Sequence, residues 1–250
     1  MDRRLRRLDV RGAIRAVADL ATPRTCLVCG ESLMPQESHL CLCCLADLPL
    51  TRYENIRRNP MADKFNALPG FGTEPYVCAT ALFHYEYESG YRQITQALKY
   101  RRNFAAGRHF ASMLGERMAG SGLYRDVDLV VPVPLHWTRR WRRGYNQAEI
   151  IAAELARRLP GSPRTASLLR RRRHTVTQTR LSVEEKTVNV RDAFSVRPRT
   201  CAKAGMPGHI LLVDDVFTTG ATLNACYRAL REHFTPEVRI SIATLGFVKT

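Results

Sequence analysis

The chain is short of acid. Its 250 residues carry 23 Asp and Glu against 39 Lys and Arg, a formal charge of +16 and a pI near 10.0. That balance points to polyanions: phosphates, nucleic acid or an acidic membrane surface. No apolar run reaches transmembrane length, so no helical membrane span is expected. A secretory leader is not expected either. In "MDRRLRRLDVRGAIRAVADLA" the apolar part is interrupted by Arg15 and Asp19, which fails the pattern. Without a leader, disulfides become the weaker expectation for the cysteines. No internal repeat is present, which removes solenoids and propellers. What remains is 45% hydrophobic, enough for a packed core in one α/β domain with a small added module.

Within the basic N-terminal stretch, Val10, Ile14, Val17, Ala18 and Ala21 recur at helical spacing. They predict a basic amphipathic helix in residues 1–25. Such a helix can touch a membrane or nucleic acid, or pack on its own domain. Five of the eight cysteines follow, between Cys26 and Cys44. Cys26-x2-Cys29 and Cys41-x2-Cys44 are two knuckles that suit tetrahedral zinc, with Gly30 allowing the tight turn of the first. Four thiolates leave no open position, so zinc over residues 26–50 is expected to be structural. Cys43 is an extra thiol that leaves the second pair open. Cys78, Cys201 and Cys226 read as buried thiols. Residues 51–75, rich in Arg, Asn, Pro and Gly, read as a linker.

From residue 76 onward, strand-like and helix-like stretches alternate, the pattern of a parallel sheet. "YVCATALFHYEY" reads as two short strands or a hairpin. "GYRQITQALKY", "AAGRHFASMLGERM" and "NQAEIIAAELARRL" read as helices, and "VDLVVPVPL" and "VRISIATLGFV" as strands. Ile210–Val213 is apolar without alternation, a strand covered on both faces. It runs into Asp214 and Asp215 and then into Thr218-Thr219-Gly220-Ala221-Thr222. Leu223, Cys226, Tyr227, Leu230 and Phe234 then make one stripe of a helix. Acids at a strand end and a small-residue loop at a helix start form the usual ligand crevice of α/β sheets. The loop suits a phosphate, held by backbone N–H groups and the helix dipole. The carboxylates suit hydroxyl donors or a metal. A sugar phosphate satisfies both; a tight turn with solvated aspartates is the bland alternative.

Two arginine clusters stand apart. In "PLHWTRRWRRGYNQAE", Arg139, Arg140, Arg142 and Arg143 sit among Trp137, Trp141 and Tyr145. Guanidiniums interleaved with rings can bind single-stranded nucleic acid or clamp pyrophosphate; a solvated basic loop is the third option. For the nucleic acid the candidates are Trp137, Trp141, Arg142 and Arg143. The second cluster, Arg170–Arg173, opens a long polar stretch that reads as a mobile hood over the ligand, or as a solvated connection.

The stretch "LLVDDVFTTGATL" resembles the phosphoribosyl-pyrophosphate (PRPP) motif of type I phosphoribosyltransferases. That resemblance implies Asp214 and Asp215 on the ribose hydroxyls and Thr218, Thr219, Gly220, Ala221 and Thr222 on the 5′-phosphate. With the four-cysteine module, "ALKYRRN", "VPVPLHWTRRWRRGYNQA" and "HTVTQTRLSVEEKTVNVRDAF" in this order, the chain resembles the ComF family of late-competence proteins. The resemblance runs from Cys26 to the C-terminus. It implies a type I phosphoribosyltransferase-like parallel sheet over 76–250 behind the zinc module. It further implies Mg²⁺ with PRPP, and Lys99, His136, Arg140, Arg143, Thr177, Gln178 and Thr179 toward pyrophosphate or on the hood. It also implies work with the DNA-uptake machinery on the cytoplasmic side of the membrane. Phosphoribosyl transfer, and nucleic-acid handling on the same fold without turnover, are the two competing functions.

Overall fold

A computed structural model describes residues 24–70, 74–135, 137–171 and 193–249. The expected N-terminal helix, His136 and the hood residues Thr177, Gln178 and Thr179 lie outside them. The chain divides after Leu48 into two compact units. The first contains the cysteine knuckles and a short helix α1 (Leu42–Ala46).

The second unit begins with a 3₁₀ turn at Tyr53–Asn55 and helix α2 (Pro60–Asn66). Strand β1 (Ala79–His84) precedes helices α3 (Arg92–Tyr100) and α4 (Phe104–Ala119). Then come β2 (Leu129–Pro132), α5 (Trp137–Arg143), α6 (Gln147–Arg158) and β3 (Arg164–Thr165). Strands β4 (Leu169–Arg171) and β5 (Phe194–Val196) pair antiparallel beside the main sheet. Helix α7 (Pro198–Ala204), β6 (His209–Phe217), α8 (Ala221–Arg231) and β7 (Arg239–Phe247) complete the order. The sheet runs β1-β7-β6-β2-β3, with every pair parallel.

Local chemistry sets these boundaries. Asn59, Asn103 and Asn146 cap α2, α4 and α6, each side-chain oxygen accepting a backbone N–H from the first turn, and Pro60 opens α2 with its fixed φ. The α8 stripe is buried as its spacing predicts: Leu223, Cys226, Tyr227, Leu230 and Phe234 are all covered. Cys78, Cys201 and Cys226 are buried thiols.

Three expectations change. "YVCATALFHYEY" gives one strand rather than two, because nothing between Ala79 and His84 can reverse the chain. The arginine–tryptophan stretch forms α5 rather than a loop. Residues 51–66 belong to the core of the second unit. Four of their apolar side chains, Tyr53, Met61, Ala62 and Phe65, are buried in that core, while Ile56 is exposed. Phe65 meets Phe217 and Tyr227 edge-on, at 6.3 and 5.8 Å between centroids. Buried Glu54 pairs with Arg117 of α4 and accepts, at its backbone carbonyl, a hydrogen bond from Ser121.

At the amino end of the sheet, His209 is 1% exposed. Its Nε2 lies 2.8 Å from Ser241 Oγ on β7, and its Nδ1 2.9 Å from Asp126. Burial lowers the imidazole to about 4, so it is neutral at pH 7 and serves as a clamp between β6 and β7.

Because Phe65 fills core volume, Phe65→Ala is expected to cost about 3–5 kcal/mol of stability. Denaturant unfolding measures this; a change near zero would return residues 51–66 to the status of a linker.

Candidate functional site at the carboxyl end of the central strand

Strand β6 does not stop before the acids. It continues through them to Phe217, and the alternation of a strand sends Asp214 and Asp215 to opposite faces. Asp215 is 5% exposed, and Lys99 on the last turn of α3 reaches it, Nζ to Oδ2 at 2.8 Å. Burial alone would lower the Lys99 ammonium, but the charge of Asp215 outweighs it and the net shift is upward. Asp214 is half-buried, and its Oδ1 accepts the Asp215 backbone N–H at 2.8 Å. Desolvation and then the Asp215 charge push its carboxyl up to about 7, against the pull of that N–H, Lys99 and Arg171. Arg171, on β4, lies with its guanidinium 5.3 Å from the centroid of the Phe194 ring. Thus Lys99, expected at a phosphate, is here the partner of an acid.

The loop after β6 spans only Thr218, Thr219 and Gly220. Both threonines are exposed. Gly220 has φ +78°, and a Cβ there would sit 2.7 Å from Phe217 Cζ and 3.0 Å from Leu68 Cδ1. Only glycine satisfies both the backbone conformation and the packing. Ala221 and Thr222 open α8, whose first-turn N–H groups have no intrahelical partner and carry the positive end of the helix dipole. The loop therefore offers hydroxyls and N–H donors at the same strand end as the two carboxylates.

Helix α5 divides the arginine cluster between two cavities. Lys99, Arg142 and Arg143 line one of about 270 Å³ together with Tyr100, Arg102 and Tyr145, and no carboxylate lines it. Arg143 packs 5.0 Å from the centroid of the Tyr100 ring and donates to Gln147 Oε1 at 3.1 Å. Tyr145 donates its hydroxyl to the Leu98 carbonyl. Arg140 and Trp137 face a second cavity of about 130 Å³, on the side of β4, and Arg140 pairs there with Glu149 at 2.9 Å. Trp141 is 85% exposed and lines neither. Of these residues, the sequence reading missed Tyr100 and Arg102. Their signal was the "KYRRN" run, which carries Tyr100 and Arg102 directly behind Lys99.

In the first unit the knuckles close as the spacing implies. Gly30 takes φ +81° and its N–H returns to the Cys26 carbonyl at 3.0 Å. Cys41 caps α1, its sulfur accepting the Cys44 N–H. The sulfurs of Cys26, Cys29, Cys41 and Cys44 all lie within 4.8 Å of one another, with Cys29 and Cys41 at 3.8 Å. A zinc–thiolate tetrahedron, with bonds near 2.3 Å, has edges of roughly 3.8 Å. Cys43 is exposed and outside the group. Burial raises the Cys26 thiol, but N–H groups of Cys29, Cys41 and Val28 bring it down to about 6. Burial and the neighbouring sulfurs raise Cys44. The four sulfurs together could hold a metal ion such as zinc. Protein purified under reducing conditions without chelator is expected to hold about one zinc per chain, and Cys44→Ser to release it and unfold the first unit; metal analysis finding none would reject the site.

No family model matches the chain. Competence protein F of Haemophilus influenzae is 34% identical over 151 residues, 59% of this chain and 64% of that protein. DNA utilization protein YhgH of Salmonella typhi is 38% identical over 96 residues, 38% of this chain and 40% of its own length. Competence protein ComFC of Bacillus subtilis is 34% identical over 113 residues, 45% of this chain and 42% of its own length. The chain thus spans less than two thirds of each of these relatives. With its four-cysteine cluster and five-stranded parallel sheet, the chain is similar to these competence and DNA-utilization proteins over part of their length.

Proposed function

We propose that this protein binds PRPP with Mg²⁺ at the carboxyl end of β6 and acts, by phosphoribosyl transfer or by ligand-governed binding, in the use of incoming DNA. One observation carries the reading. The Asp214–Asp215 pair and the Thr218–Thr222 loop meet at one strand end, with Lys99 and a carboxylate-free basic cavity on the side of α3. The names of the relatives support the DNA-uptake half. Work on the cytoplasmic side, with the uptake machinery as partner, belongs to the same proposal; among the described residues no helix is long and apolar enough to cross a membrane.

In this reading the loop N–H groups and threonine hydroxyls hold the 5′-phosphate, and the two carboxylates accept the ribose 2′- and 3′-hydroxyls. Pyrophosphate would lie toward Lys99 and Arg143. Mg²⁺, a hard cation that favours oxygen ligands, would neutralise the pyrophosphate, and the acids here supply carboxylate oxygens that fit it. Loss of pyrophosphate from C1 leaves an oxocarbenium-like centre, and the chain contributes positioning and fixed charge rather than a covalent nucleophile.

Asp214→Asn with Asp215→Asn is expected to abolish PRPP binding in calorimetry while leaving the fold intact; unchanged affinity would reject the site. Asp214 must be ionised to accept hydroxyls, and its carboxyl titrates near 7. PRPP affinity should therefore rise with pH through neutrality. Lys99→Met removes a cation that holds Asp214 down, so it should move the rise to higher pH. A pH-independent affinity would contradict the assignment of Asp214.

Single-stranded nucleic acid is the second reading, favoured by the 85% exposure of Trp141 beside Arg142 and Arg143. Trp141→Ala is expected to lose about 1–3 kcal/mol of oligonucleotide affinity with little change in its salt dependence. Arg142→Ala with Arg143→Ala should flatten the salt dependence, by roughly 0.7 in log–log slope for each phosphate left without its guanidinium. Fluorescence anisotropy at several salt concentrations checks both; unchanged binding in every variant would remove α5 from the nucleic-acid surface.

A further inference from the structure

A cavity of about 350 Å³ lies at the amino end of the sheet, the end away from Asp214 and Asp215. Cys78 precedes β1, Ser241 is the third residue of β7 and His209 opens β6. Ala79 pairs in register with Ile242, and His209 with Arg239. Strand alternation therefore puts Cys78, Ser241 and His209 on one face, where all three are buried and line the cavity. Asp126, ion-paired with Arg239, can only accept a hydrogen bond. The neutral His209 ring thus donates from Nδ1, and its Nε2 accepts the Ser241 hydroxyl proton. Ser241 is left with lone pairs for a further partner and no proton to give.

No acid among the described residues lines the cavity, and three arginines do. Arg231 is committed to the protein: its Nη1 donates to the Thr235 and Val238 carbonyls at 2.7 and 2.9 Å, and it pairs with Glu74 at 3.2 Å. Arg57 and Arg239 are exposed. Burial raises the Cys78 thiol, and Arg57 and then Arg239 oppose the rise, so both charges are felt at one part of the lining. Val77, Leu123 and Ile240 add apolar wall. Tyr76 is held as a platform: its hydroxyl donates to Asp63 at 2.6 Å, and the Arg58 guanidinium stands 5.0 Å from the ring centroid.

We infer that this cavity is a second ligand site, built for a nucleoside monophosphate and separate from the site at the carboxyl end of β6. The phosphate lies at Arg57 and Arg239, because guanidiniums match its oxygens with charge-assisted hydrogen bonds. The base stacks on the fixed Tyr76 ring. Ser241, an acceptor only, takes a hydroxyl or amino donor of the same ligand and would repel the phosphate. A free phosphate leaves the ring and Ser241 unused, and an uncharged nucleoside leaves the arginines unused. At about 350 Å³ the space equals roughly twelve waters of roughly 30 Å³ each, within the size class of small-ligand clefts. That is room for one mononucleotide and too little for a strand. The inference does not rest on the PRPP reading.

The test uses the full chain carrying Gly122→Cys. Gly122 borders the cavity and is exposed, and a Cβ there meets nothing within 4 Å, so a thiol is accommodated without a clash. Its alkylation by N-ethylmaleimide, located by peptide mass, reports on this cavity alone. The probe is AMP, with adenosine and ribose 5-phosphate as controls for base without phosphate and phosphate without base. AMP should slow alkylation saturably, with both controls weaker by about tenfold or more, the worth of a charge-assisted hydrogen bond. Adding Arg57→Ala, at an exposed position, should weaken protection by AMP about tenfold. Adding Asp214→Asn with Asp215→Asn instead should leave protection as it was. No protection up to millimolar AMP, equal protection by either control, undiminished protection after Arg57→Ala, or its loss in the aspartate variant would overturn the site.

Discussion

The ion pair between Lys99 and Asp215 is the interaction on which the rest of this site depends. A strand buried on both faces carries two adjacent carboxylates into a poorly solvated place, and desolvating like charges is expensive. Lys99, at the end of α3, answers one of them at 2.8 Å. The other is left half-buried and titrating near neutrality. The two acids are therefore held differently. Asp215 is tied into the protein by a cation, whereas burial and the Asp215 charge leave Asp214 the more easily protonated carboxyl.

The same constraint organises the surroundings. Burial of β6 between α6 and α8 fixes where the strand ends, and Gly220 lets the chain turn at once into α8 because no side chain would fit against Phe217. Donors of the loop and acceptors of the strand then sit within a few residues of one another. Helix α5 adds a partition. Its 3.6-residue period turns Arg142 and Arg143 toward Lys99, and Trp137 and Arg140 toward β4. A contiguous basic cluster thereby serves two separate cavities.

Much of this was legible in the sequence. The unalternated run Ile210–Val213 announced a central parallel strand, and the stripe Leu223–Phe234 announced the helix behind it. Cysteine spacing named the four thiols that meet, although Cys43 left the second pair open until the structure placed it outside the group. The Lys99–Asp215 pair was not legible, because it joins residues more than a hundred positions apart through tertiary packing. Nor was the burial of residues 51–66: four inward side chains among Arg, Asn and Pro leave too weak a periodicity to read. The partition made by α5 was hidden for a related reason. Arginine and tryptophan carry no apolar stripe to mark a helix, so its faces became visible only with neighbours on both sides.

The hydrogen-bonded imidazole at the opposite end of the sheet has a mechanical consequence. His209 begins the strand that Asp214 and Asp215 nearly end, and it is fastened to Ser241 on β7 and to Asp126. A one-residue slip of β6 would break those hydrogen bonds and also exchange the faces of its two acids. The strand is thus anchored like a cantilever, fixed in register at its root and loaded with charge near its tip. Its stiffness places the carboxyl of Asp214 with the accuracy of the sheet.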